Sequence, residues 1–167
     1  PSAKPTLVSY VVATDPGLRN VVVRGSARTG AESDYTVKVD AGSVLAVLRP
    51  NTTYYYQFAA GGQSSPIGRT KTLPLGSVGT LRFAVVSCSN HAYGYFNAYA
   101  RIAARADLDL VMHLGDYIYE YGASQYGSAR TPEPSVEIVT LSDYRTRHAQ
   151  YKSDPDSQAM HRQHPLV

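Results

Sequence analysis

Apolar residues fall in short runs along the first 74 residues: Leu7 to Ala13, Asn20 to Arg24, Tyr35 to Val39, Val44 to Leu48, Tyr54 to Ala59 and Ile67 to Thr72. Gly, Pro, Asn and Asp fall between them. Runs of this length bounded by turn residues predict strands. In Tyr35-Thr36-Val37-Lys38-Val39 the strict alternation predicts a strand buried on one face. After a Pro, Gly and Ser linker at Pro74 to Gly79 the pattern changes. Leu81 to Ser87 is mostly apolar, as a strand buried on both faces should be. Within Tyr95 to Ala106, residues Phe96, Tyr99, Ala100, Ala103 and Ala104 recur at helical spacing in an Ala-rich segment. Leu108 to Leu114 predicts a second buried strand. Strand, helix and strand in about 35 residues make a βαβ unit, whose two strands are parallel and adjacent.

Residues 121–139 are rich in Gly, Ser, Tyr and Pro and read as a long loop. Loops of this length are uncommon unless they serve a site or move. Thr140-Leu141-Ser142-Asp143 has the form of a capping box with Asp in the place of Glu. It predicts a helix with Leu141, Tyr144, His148 and Tyr151 on one side, and His148, His161 and His164 on helix surfaces. Asp154-Pro155 predicts the N-cap and first position of another helix. His164 to Val167 reads as the entry to a third buried strand.

The expected organisation is therefore a β domain over residues 1–74 and the start of an α/β domain over 80–167. A hydrophobic content of 43% is enough for packed cores and excludes a disordered chain. The 16 Lys and Arg nearly balance the 13 Asp and Glu, and no basic block occurs, so charge does not point to nucleic acid. Apolar stretches reach only about 6–8 residues, short of a membrane span.

The single Cys excludes an internal disulfide and draws attention to its place. Cys88 follows one predicted buried strand, and Asp116 and Tyr119 follow the next. Ligands of such sheets gather at the carboxyl ends of the strands. A thiolate, a carboxylate and a phenolate at one sheet edge make a metal site, and a hard oxidised metal such as ferric iron suits them. Asn90 and His91, just beyond Cys88, either face a substrate or cap the loop. His113 reads as a core residue or one that supports the ligands.

Two resemblances sharpen these readings. Leu48, Pro50, Thr52 and Tyr54 have the L-x-P-x-T-x-Y shape of a fibronectin type III corner, where a Tyr hydroxyl bonds back to the turn. This implies a fibronectin III-like β-sandwich, with too few strands here for the full set, so its first strands are expected to be missing. Ser87-Cys88, Tyr95-Phe96-Asn97-Ala98-Tyr99 and Asp109 to Gly122 resemble the PhoD-like metallophosphoesterases. So do Thr140 to Arg145, Gln150 to Pro155, Val12 to Gly17 and Ser65 to Thr70. Gly115-Asp116-x-x-Tyr119 is also similar to the G-D-x-x-Y signature of purple acid phosphatases.

The resemblance implies a β domain followed by the first βαβ part of a metallophosphoesterase α/β sandwich. It implies that Asp116 bridges two metals, that Tyr119 binds Fe3+, and that Cys88 stands where related enzymes place their first Asp ligand. Asp116 is thus the expected catalytic residue, and Ca2+ the expected partner metal, with Mn2+ or Zn2+ as other divalent ions. A metal-bound hydroxide or oxo group would attack phosphorus in line. The implied function is hydrolysis of phosphate mono- or diesters by a bacterial enzyme that is secreted, periplasmic or in the cell wall. A phospholipase D-like phosphodiesterase acting on phospholipid and a non-catalytic fibronectin-like binding module are the alternatives. Three ligands are too few for a dinuclear centre. The chain is therefore expected to be part of a longer enzyme, to need the remainder beyond Val167 as its partner, and to be inactive alone.

Overall fold

A computed structural model describes residues 4–42 and 48–167. The expected strand at Val44 to Leu48 lies, but for Leu48, outside the described residues. The fold is β followed by α/β, in two compact units, residues 1–80 and 81–167.

In the first unit β1 (Thr6–Ala13) pairs antiparallel with β2 (Val21–Thr29) and with β3 (Thr53–Ala60). β4 (Gln63–Ser64) and β5 (Gly68–Lys71) pair antiparallel with β3. The turn joining β1 to β2 is organised by Asp15, whose carboxylate accepts from the N–H groups of Gly17, Arg19 and Asn20 at 3.0, 3.2 and 2.7 Å. Those bonds, above all the one from Asn20, hold its pKa below the ordinary carboxylate value. Tyr10, Val12, Val23 and Tyr54 form the core, with Val39, Leu48, Tyr56 and Phe58 packed against it. Tyr54 is 2% exposed, and its hydroxyl accepts from the Arg49 N–H at 2.7 Å, which ties the start of β3 to the preceding turn.

Tyr35 to Val39 does not form the expected strand. Asp34 and Tyr35 take left-handed backbone angles, with φ of 56° and 55°. Tyr35 N–H donates to Gly30 O, while the Thr36 carbonyl accepts from the Thr29 hydroxyl. Local bonds of this kind compete with a ladder. Val39 still reaches the core, so its apolar character reports burial here rather than pairing.

In the second unit β6 (Phe83–Val86) and β7 (Leu110–His113) are parallel, with Val85 opposite Met112. Between them α1 (Asn97–Ala103) closes the βαβ unit. The third strand appears as a parallel bridge between Val111 and Leu166, with Val111 N–H bonded to Pro165 O and His113 N–H to Val167 O. α2 (Leu141–Ser153) and α3 (Pro155–Gln163) follow a long segment that contains no helix or strand among the described residues. Tyr99, Val111 and Met160 form the core, with Ala84, Val86, Phe96 and Leu166 against it.

Burial corrects three expectations. Alternate residues of β6 face this core, but Phe83 and Val85 are 50% and 53% exposed, so the strand is covered on one face in this chain. In α2 the buried residues are Arg147 and Tyr151, while Leu141 and Tyr144 are exposed. His164 is buried and bonds Ile102 O through Nε2, and His161 is partly buried, so only His148 lies at the surface.

Candidate metal centre

β6 and β7 end side by side, and the chain turns sharply after each. Cys88 and Asp116 both take left-handed angles, with φ of 59° and 53°, and Gly115 between β7 and Asp116 has φ of 123°. Non-glycine residues avoid this region, so its use at two strand ends marks backbone held there by its surroundings. The surroundings are the two turns themselves. Cys88 N–H donates to Gly115 O at 3.2 Å, Ser89 N–H to Asp116 O at 2.9 Å, and Leu114 N–H to Val86 O at 2.9 Å.

This pairing brings the three expected ligands together. Asp116 Oδ2 lies 3.5 Å from Cys88 Sγ and 3.0 Å from the Tyr119 hydroxyl. Loss of hydration pushes the Tyr119 pKa above the ordinary phenol value, and the facing Cys88 and Asp116 push it the same way. A carboxylate, a thiol and a phenol thus share one carboxylate oxygen without a cation among the side chains they bond. Among the described residues no cluster of three or more His, Cys, Asp and Glu is placed to hold a metal, and the phenol is what makes this set three.

Beneath the three side chains runs a partly buried hydrogen-bond relay through His113, Ser89 and Tyr99, of which sequence reading singled out only His113 as a core or supporting residue. His113 Nδ1 accepts from Gly115 N–H at 3.2 Å. The proton therefore sits on Nε2, which donates to Ser89 Oγ at 3.0 Å. The Ser89 hydroxyl shares a further hydrogen bond with Tyr99. Burial lowers the His113 pKa, against the opposing pull of Asp116, which favours this neutral ring. The relay fixes the two residues that precede and follow the ligand turns. Its signals in the sequence are His113, just before the Gly115-Asp116 turn, and Ser89, directly after the lone Cys.

A cavity of about 630 Å³ opens beside Cys88 and Tyr119. Asn90 lines it, while its side-chain oxygen accepts from Ala92 N–H at 3.0 Å, so it faces the cavity and caps the turn at once. His91 is 8% exposed and packs against Tyr151 and Phe96, with ring centroids at 5.5 and 6.3 Å. It is absent from the cavity wall.

The site has relatives. Residues 83–167 match the family of PhoD-like phosphatases, and residues 1–74 match the PhoD-like phosphatase N-terminal domain. The chain belongs to the PhoD-like phosphatase family. Alkaline phosphatase D of Bacillus subtilis (strain 168) is 44% identical over 166 residues. Those residues are 96% of this chain and 27% of that protein. A solved structure described as the structure of PhoD superposes with a TM-score of 0.91 at 42% identity. It covers all of this chain, which spans 32% of that one. This chain therefore spans about a quarter to a third of the PhoD-like proteins it matches.

Proposed function

We propose that this chain carries part of the active centre of a metal-dependent phosphoesterase, which hydrolyses phosphate mono- or diesters. One observation carries the reading: Cys88 and Tyr119 converge on one oxygen of Asp116 at the ends of two parallel strands. The donor set fits a cation. A hard, highly charged metal ion stabilises phenolate, thiolate and carboxylate together.

In this proposal Cys88, Asp116 and Tyr119 would hold Fe3+, and Asp116 would also serve a second ion, Ca2+ or another divalent cation such as Mn2+ or Zn2+. The ions would supply positive charge for the phosphoryl oxygens and an acidified water. The chain's own contribution is positional. The paired turns hold the Asp116 backbone, and the Ser89–His113–Tyr99 relay holds the base of both turns. Asn90 is placed to contact the substrate from the cavity wall, and His91 supports that wall from below. Three donors are fewer than two ions require, so the remaining ligands are assigned to the rest of a longer, secreted or periplasmic enzyme. The tie between Tyr54 and Arg49 supports a fibronectin-like reading of the first unit.

The test is turnover by the full-length enzyme of p-nitrophenyl phosphate, bis-p-nitrophenyl phosphate and phosphatidylcholine, with Asp116→Asn as control. Hydrolysis of the first two that collapses at least a hundredfold in the variant supports the proposal. Preference for phosphatidylcholine would favour the phospholipase D-like alternative. Inactivity towards all three in the presence of metal would refute it.

A further inference from the structure

The cavity beside the ligands has an aromatic wall, and its rings form a chain leading away from the site. Tyr119 contacts Tyr126 at 5.8 Å between centroids, and Tyr126 contacts Tyr93 at 5.7 Å with their planes 57° apart. Tyr93 and Tyr126 line the cavity and are 69% and 47% exposed, so their rings are open to a ligand. The rings are not loosely placed. Gly127, at φ 98°, brings the loop so close to the Ala92 backbone that a Cβ there would sit 2.7 Å from it. Ala129 N–H donates to Ala92 O at 2.8 Å. Arg130 then donates to His91 O at 3.1 Å and to buried Asp154 at 2.6 Å. The loop bearing Tyr126 is thus pinned to the turn bearing Tyr93 on the side away from the cavity.

Building on the phosphoesterase reading, we propose that Tyr93 and Tyr126 determine specificity by stacking on a planar aromatic group, an aryl or nucleobase moiety, carried by the phosphate ester. A phosphorus held at Cys88, Asp116 and Tyr119 puts its ester substituent against Tyr126 and then Tyr93. A methyl group is too short to use this wall, whereas a ring one or two bonds from phosphorus reaches it. Two observations favour a neutral ring over an ammonium headgroup. The cavity lining contains no Asp or Glu to balance a ligand cation. A cation is already in place behind it: the Arg130 guanidinium lies 4.8 Å from the centroid of Tyr95 and 4.9 Å from that of Phe96, both lining residues. The cavity volume is on the scale of one organic substituent.

The experiment compares bis-p-nitrophenyl, methyl and choline phosphodiesters in the full-length, metal-loaded enzyme and in its Tyr93→Ala, Tyr126→Ala and Tyr126→Phe variants. Each Ala variant is expected to lower the aryl-to-methyl ratio of kcat/KM roughly three- to tenfold, the worth of one ring contact. Taking ratios within each enzyme cancels the intrinsic reactivity of the esters. Tyr126→Phe, which keeps the ring, is expected to restore the ratio. Equal losses on aryl and methyl esters, or a greater loss on the choline ester, would overturn the proposal. A readout that needs no turnover separates this idea from the parent reading. Ring protons of p-nitrobenzylphosphonate, whose P–C bond is not hydrolysed, should shift upfield in the NMR spectrum with the wild-type protein loaded with diamagnetic Zn2+ and less with Tyr126→Ala. A shift without hydrolysis of the esters leaves the wall standing and removes the hydrolase reading; no shift removes the wall.

Discussion

Arg147 shows how one buried residue can hold the backbone on which a site is built. It is 1% exposed, and its guanidinium donates to the carbonyls of Glu133, Tyr119, Tyr121, Pro134 and Val136. Both ends of the loop after Tyr119, with the Tyr119 backbone itself, are thereby gathered on one side chain. Burial lowers the Arg147 pKa, yet a guanidinium remains charged, and charged donors make the stronger bonds. Arg147→Ala is expected to cost more than about 3 kcal/mol in chemical denaturation, since it leaves five carbonyls without their donor. Arg147→Lys should recover little, because an ammonium cannot span them. His91 supplies a pH dependence. Its pKa is lowered to about 4, first by burial and then by Arg130. Between that value and its ordinary 6.5 the unfolded chain binds a proton that the folded chain excludes. Stability from this group is thus complete above 6.5 and is lost as the pH falls towards 4. His91→Phe should flatten the fall in denaturation free energy over that window. The convergence of Cys88, Asp116 and Tyr119 was legible, since each follows a strand of one parallel pair. Arg147 was not, because an Arg in mid-helix reads as solvent-facing until its neighbours are known.

Among the elements, those set by local rules matched their sequence signals. Thr140 accepts from Asp143 N–H, and the Asp143 carboxylate accepts from Thr140 N–H at 2.9 Å, so the expected capping box opens α2. Thr140→Ala should cost about 1 kcal/mol, measurable as a shift in the denaturation midpoint. Asp154 caps α3 as its sequence predicts, accepting from Asp156 and Ser157 N–H at 3.0 Å each. The parallel pairing of β6 and β7 follows from the length of the crossover, and the structure has it. Elements decided by more distant partners were less legible. Tyr35 to Val39 alternates like a strand but gives its bonds to a local turn. The buried face of α2 is chosen by the carbonyls around Arg147; of the side that spacing marked, Leu141, Tyr144, His148 and Tyr151, only Tyr151 is buried.

For the whole molecule, the division into a β unit and an α/β unit follows from the change of hydrophobic period near residue 80. Its near-neutral balance of charge leaves recognition to local groups, and the local groups at the strand ends are Cys88, Asp116, Tyr119 and the tyrosines beside them. No helix among the described residues is long and apolar enough to cross a membrane. If Cys88, Asp116 and Tyr119 bind one oxidised metal ion, the visible absorption spectrum of the full-length, iron-loaded enzyme will report it. A phenolate bound to ferric iron gives a charge-transfer band, so the protein should be coloured and Tyr119→Phe should bleach it. A colourless iron-loaded protein, or a band that survives Tyr119→Phe unchanged, would contradict the assignment.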